Sequence, residues 1–327
     1  SPVSDGQSPG DALRETIELA RLADRLGYSR YWLAEHHNHP GLAGPSPEIL
    51  IAEVANATER IRVGSGGVML PHYAPLKVAE NFRVLEALHP GRIDLGLGRA
   101  PGSDQITAMA LNRGEQPDEF PNQVQDLIGW LENRLNPRHP FARVHATPDP
   151  GSVPELWLLG SSDFSASVAA VLGTAFSFAH FINPRTGPDA VALYRREFRS
   201  DGRLDDPQVS IGVAAIAADT EAEAERLAKS LWLWRHALEQ GRPIPFPDPD
   251  VAARHPFTDA ERARWEKNRA NVAIGAPEQV RDRLTEIAGR YNADEVIVLT
   301  ICHDPAARRR SYELVAEACG ITAAATA

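Results

Sequence analysis

The sequence is poor in cysteine. Only Cys302 and Cys319 occur in 327 residues, with no C-x-x-C spacing. Neither a disulfide framework nor a thiolate zinc site can be built from them, so a reducing, cytoplasmic setting is expected. Long apolar runs are missing too. None approaches the ~20 residues of a membrane helix, and no signal-peptide pattern opens the chain, so no membrane partner is expected. The first residue is Ser1 and not methionine, which leads us to expect a biological start upstream. Cations are outnumbered, with 34 Lys+Arg against 44 Asp+Glu and a formal charge of −10. That balance argues against a general nucleic-acid binder. It leaves room for an anionic ligand, because a phosphate needs only local donors.

What is present is the composition of a globular protein, 43% hydrophobic and 24% charged, on a chain long enough for one large core. Short β-branched or apolar runs alternate with amphipathic stretches, the pattern of repeated βα units. Residues 11–27 read as a helix, with Leu13, Ile17, Ala20, Ala23 and Leu26 on one stripe and Gly27 past its end. The alternation predicts strands at 30–35, 61–64, 92–97, 156–160, 175–180, 209–217 and 294–299. Helices are expected within 46–59, 75–88, 163–172, 188–199, 220–238, 277–290 and 305–319. Residues 140–148 read as a small extended excursion. Residues 241–270, Pro-rich and then charged, read as a long insertion or lid, and the Ala/Thr tail from Thr322 is expected to fray.

Seven strands in a chain that opens on a helix leave a βα series one strand short. We therefore expect an α/β fold, a single (β/α)8 TIM-type barrel over residues 1–327, with its first strand ahead of Ser1. A seven-stranded open sheet is the competing architecture, and it would leave two bare edges.

In such barrels the chemistry sits at the C-terminal ends of the strands, and four of these ends are unusual. One carries Glu35-His36-His37. A histidine there suits general acid–base work near neutral pH, though a hydrogen-bonded structural histidine is the alternative. A metal set drawn from Glu35, His36, His37 and His39 is disfavoured, because neighbours on an extended strand point to opposite faces. The next end carries Gly64-Ser65-Gly66-Gly67, which suggests a kink, a bulge or the approach of a flat ligand.

The third end, GLGRAPG at 96–102, is a near miss to a dinucleotide fingerprint. Its third glycine is displaced, and Pro101 falls where a helix should be under way. What remains is Arg99, suited either to a phosphate or to a surface ion pair. The fourth end, Gly160-Ser161-Ser162-Asp163, runs into a helix and offers an anion site or an ordinary cap. Arg99 and Ser161/Ser162 lie on adjacent predicted strands and could clamp one phosphate.

The order EHH, GSGG–MLP, LGLGRAPG and LLGSS, with the later GAPEQVRDRLTEI, resembles the bacterial-luciferase-like monooxygenases, in their FMN-dependent subgroup, over about residues 10–315. The resemblance implies a flavin-dependent monooxygenase that takes FMNH2 from a separate NAD(P)H:flavin reductase. It would oxygenate a small organic substrate with O2 through a C4a-peroxyflavin. His36 matches the family's active-site histidine, and Gly66-Gly67 match a non-proline cis peptide under the flavin ring. Arg99 and Ser161/Ser162 match the phosphate-binding positions, and Glu35, Ser65 and Gly160 join the expected cofactor-binding set. No metal is implied. Gly98 stands where light-emitting members have cysteine, so light emission is not implied. Relatives of the same fold use the deazaflavin F420, which is the alternative cofactor. A flavin-binding barrel without turnover and a metal-dependent hydrolase on Glu35/His36 are the other function classes. The 72–81 stretch is a candidate homodimer face.

Overall fold

The computed structural model describes residues 1–112 and 119–322; the tail past Thr322 lies outside them. Ser8 accepts a hydrogen bond from the Asp11 N–H and opens helix α1 (Pro9–Leu26), which Gly27 ends in the left-handed conformation at φ 94°. Strand β1 (Arg30–Leu33), helix α2 (Pro47–Ala57) and β2 (Arg62–Ser65) follow. Beyond a two-residue strand β3 (Val68–Met69) come α3 (Pro75–Leu88) and β4 (Ile93–Gly98). The series continues as α4 (Gln105–Leu111), α5 (Phe120–Leu131), β5 (Glu155–Gly160), α6 (Asp163–Leu172), β6 (Ala175–Phe178) and α7 (Gly187–Glu197).

Strand β7 (Val209–Ala217) is buried at every position, as a strand covered on both faces must be. After it lie α8 (Glu221–Glu239), α9 (Pro249–Ala253), α10 (Asp259–Arg269), β8 (Ala273–Gly275), α11 (Pro277–Tyr291), β9 (Glu295–Leu299) and α12 (Pro305–Ala318).

All strand pairs among the described residues are parallel. The sheet runs β1-β2-β4-β5-β6-β7, and β7 then pairs with β9 along its first half and with β8 along its second. The seven long strands are those expected from the alternation. The edge strands β1 and β9 share no ladder, yet Arg30 of β1 donates to Glu295 of β9 at 3.0 Å. The sheet is therefore curled until its edges meet through side chains, a TIM-type layout rather than the flat open alternative. Helices pack round it as a ring: α1 on α2, α2 on α3, α3 on α5, α6 on α7, α7 on α11, α11 on α12, and α12 back on α1.

Two expectations need correction. Residues 140–148 hold no strand; they form turns, pinned by the buried Arg83, whose guanidinium donates to Ala146 O at 2.6 Å and Leu131 O at 2.8 Å. The helix α5 just before them belongs to the ring, although its sequence gave no clear βα signal. Helix α8 packs on β7 and β8, in an apolar cluster that joins Leu227, Leu231 and Trp232 to Ala214, Ile216 and Ile274 and takes in Phe246, Val272 and Cys302. Residues 241–270 are not structureless, because they contain α9 and α10, the latter opened by a Thr258–Glu261 capping box.

At the N-terminal ends of the strands an ion network fills the barrel floor. Asp94, fully buried, accepts from Arg30 at 2.7 Å, Arg62 at 2.7 Å and the Trp32 indole at 2.8 Å. Glu155 pairs with Arg30 at 3.3 Å and with Arg62 at 3.2 Å.

Candidate active site

At the β1 tip the chain leaves the ladder but stays extended, so successive side chains diverge. Glu35 turns inward and is fully buried. Its carboxylate accepts from the Tyr73 hydroxyl at 2.8 Å and the Met69 N–H at 2.9 Å, and meets His37 Nε2 at 2.8 Å. Burial, then the Glu35 carboxylate, push the Tyr73 phenol above its usual range. Glu35 was expected in the cofactor-binding set; its carboxylate oxygens are taken up by protein donors, and it braces the β1 tip.

His36 goes the other way. Its ring has no hydrogen-bond partner among the described residues and lines a cavity of about 510 Å³. Burial lowers its pKa to about 4, so the imidazole is neutral near pH 7 and able to accept a proton only under strong driving force. Among the described residues no group of three or more His, Cys, Asp and Glu is placed to hold a metal ion.

The glycine-rich β2 tip lies pressed against β4. Ser65, fully buried, donates through Oγ to Gly96 O at 2.8 Å and accepts the Gly96 N–H at 3.0 Å. Ser65, expected in the same set, thus rivets β2 to β4 through its hydroxyl. A Cβ on Gly96 would sit 2.1 Å from Ser65 O, and one on Gly67 would sit 2.7 Å from Gly96 O. The Gly66-Gly67 peptide is cis.

Between β4 and β5 the register pairs Leu97 with Leu158, and two residues further on Arg99 comes alongside Gly160. The Arg99 guanidinium lies over the Phe164 ring, 4.1 Å from its centroid, in the first turn of α6. It has no ion pair among the described residues. Gly160 permits this approach, because a Cβ there would lie 2.2 Å from the Ser165 side chain. Ser162 is the N-cap of α6, yet its hydroxyl makes no capping bond. The Ser161 hydroxyl is likewise without a partner among the described residues, while its carbonyl accepts from Asn183 at 3.0 Å. Free hydroxyls, the first N–H groups of a helix and an unpaired guanidinium thus meet at one point, which is the donor set of an anion site.

The cavity itself was not foreseen. His36 shares its wall with His180, which is fully buried against the Tyr291 hydroxyl at 2.7 Å and Asn271 O at 3.2 Å. Burial lowers the His180 pKa to about 4. Its position just past the C-terminal end of β6 was the available signal. Neither Arg99 nor Ser161 and Ser162 line this cavity, so the predicted residues form two groups: Arg99 with the α6 N-terminus, and His36 with the cavity.

A curled parallel sheet with its distinctive residues at the strand tips defines an α/β-barrel enzyme. The model of the family described as luciferase-like monooxygenase matches residues 2–291. A luciferase-like monooxygenase of Escherichia coli strain K12 is 40% identical over 96% of this chain and 93% of its own. The solved structure of apo-MsnO8 superposes with a TM-score of 0.91 at 39% identity, covering 99% of this chain and 97% of that one. The chain belongs to the luciferase-like monooxygenase family and is an oxidoreductase. At 20% identity, where likeness shows fold alone, the oxygenating constituent of 3,6-diketocamphane monooxygenase from Pseudomonas putida, solved with FMN, gives a TM-score of 0.68 over 97% of this chain and 95% of that one.

Proposed function

We propose that this protein is the oxygenating component of a two-component flavin monooxygenase, which takes FMNH2 from a separate reductase and transfers one oxygen atom of O2 to a small organic molecule. The observation that carries the reading is the unpaired Arg99 guanidinium over Phe164, beside the free Ser161 and Ser162 hydroxyls. The donors present fit a flavin phosphate: Arg99 offers a charged fork, and α6 offers N–H groups and its positive end. Asp163 takes the Phe164 N–H at 2.9 Å, so that donor is occupied and the phosphate would rest on Arg99, the two serine hydroxyls and the neighbouring N–H groups of α6.

Bound reduced flavin would supply the two electrons that activate O2, with the second oxygen atom leaving as water. The chain's own residues do the rest. Arg99, Ser161 and Ser162 fix the phosphate end. The Gly64–Gly67 turn keeps the β2 tip flat against β4, leaving backbone rather than side chain towards the ring. His36, neutral and free of protein partners, is the group able to take or return a proton in the cavity. Helices α8 and α10 cover part of that cavity and limit the approach of water to it, which such chemistry favours. We place the whole of residues 1–327 in this one unit, with 241–270 as part of that cover.

The test is an anaerobic titration of the purified chain with FMNH2 and, separately, reduced F420, followed by admission of air. Tight FMNH2 binding with reductase-dependent oxygen uptake supports the proposal, and binding of reduced F420 alone would replace the cofactor. His36→Ala should abolish product formation while FMN affinity persists. FMN bound with no oxygen consumed by either protein would leave a flavin-binding barrel without turnover.

A further inference from the structure

The cavity beside His36 lies between the residues following β6, the C-terminal half of α8 and one face of α10. Its volume, about 510 Å³, is that of a small-molecule cleft (roughly 300–1,000 Å³). Much of its wall is aromatic: Phe181, Trp232, Trp234, Phe257 and Trp265. Trp265 meets Trp232 edge-on at 5.1 Å and packs on Phe257 at 4.8 Å, so these surfaces are mutually braced. The Trp265 indole nitrogen is buried without a partner.

The charged side chains of the wall can be accounted for one by one. Glu239 pairs with Arg264 at 3.1 Å. Glu261 meets His236 at 3.5 Å and also accepts from Thr258 at the start of α10. That leaves Arg235. One of its five N–H donors reaches Phe181 O, and no carboxylate lies within 4.0 Å of it among the described residues. Burial lowers its pKa, an effect that Glu239 one turn further along α8 only partly opposes. A desolvated cation without a counter-charge is costly to keep, and here it stands in the wall of a cleft of ligand size.

We infer that this cavity binds an organic monocarboxylate with a flat apolar body, the carboxylate on Arg235 and the body against the tryptophan walls. A single guanidinium matches one negative charge in a planar, bidentate geometry, and the aromatic walls match an unsaturated or aromatic body. A molecule anchored there shares its enclosure with His36. The inference rests on the proposed monooxygenase reading for what happens to the bound molecule, but not for the binding itself.

The test uses the full chain free of flavin. Phenylacetate, 3-phenylpropanoate and indole-3-acetate are each titrated beside their primary amides, followed by tryptophan emission and calorimetry. At least one acid is expected to bind saturably, with its amide weaker by at least about tenfold. Arg235→Gln should lower the acid's affinity to that of the amide and leave the amide unchanged. Equal affinity of acid and amide in the native chain overturns the inference, as does the absence of saturable binding by every acid, or an equal loss for both ligands in Arg235→Gln. Should Arg235→Gln not fold, Arg235→Lys is expected to keep most of the preference for acids, and a preference lost in that variant also overturns it. FMN titration of the same samples reports the flavin reading separately. An acid preference without FMN affinity keeps the anion site and removes the flavin, and the converse result does the reverse.

Discussion

The two ends of the barrel are both polar, and they use polarity in opposite ways. At the floor, Arg30, Arg62, Asp94 and Glu155 satisfy one another: Asp94 alone receives two guanidinium groups and an indole. Burial by itself would lower the Arg30 pKa, and the surrounding carboxylates more than reverse it. At the mouth, Arg99, Arg235, Ser161, Ser162 and the His36 ring are left without charged or hydroxyl partners, or nearly so. The floor is closed because its charges hold the strands in register. The mouth is open-handed because its donors are directed at something the chain does not contain. Saturated polar groups therefore mark architecture here, and unsaturated ones mark function.

Asp94→Ala should break the floor most severely. Removing the shared carboxylate strands two cations, and unfolding free energy in urea should fall by about 3–5 kcal/mol. A loss under about 1 kcal/mol would mean that Glu155 and Glu295 can replace it.

The mouth should respond to acid. His36 and His180 both have pKa values lowered to about 4 in the folded chain, against about 6.5 when unfolded. The unfolded chain then binds more protons between these limits. Their contribution is complete above about pH 6.5 and is lost as pH falls towards 4. Unfolding free energies from urea titrations at pH 7 and pH 5 should differ by an amount on the order of 1–2 kcal/mol for each histidine, and His180→Asn should flatten the profile.

Glu35 belongs by position to the mouth and by behaviour to the floor. Glu35→Gln weakens its bonds to Tyr73, Met69 and His37, with an expected cost of about 1–3 kcal/mol. It should also slow turnover by displacing the β1 tip, with FMN affinity little changed. At the small end, Arg99→Ala and Ser161→Ala should leave the urea midpoint within about 0.5 kcal/mol of native, yet weaken FMN binding. For Arg99→Ala, FMN should suffer far more than riboflavin, which lacks the phosphate. Equal losses for the two flavins would move the phosphate elsewhere.

Much of this was legible in the residues. Short apolar and β-branched runs located all seven long strands, and glycine and serine clusters pointed to the strand tips that structure the mouth. Glu35 and Ser65 sit in the expected sequence neighbourhood but turn inward onto protein partners, because a one-residue alternation decides which face a side chain takes. Helix α8 was expected from its amphipathic stripe, but a stripe reports that a face is buried and not what buries it. Its apolar side packs on β7 and β8 and also against Phe246 and Cys302.

The sequence alone determined the βα alternation and the order of tip motifs, because both rest on local periodicity and on residue types with few conformational options. Only the tertiary structure decided that Arg99 lies over Phe164, that Arg235 is left without a carboxylate, and that α8 and α10 wall a cavity beside His36. Those facts depend on which side chains remain unpartnered after distant segments have packed. Pairing is a property of the whole assembly of contacts, and no single stretch of chain encodes it.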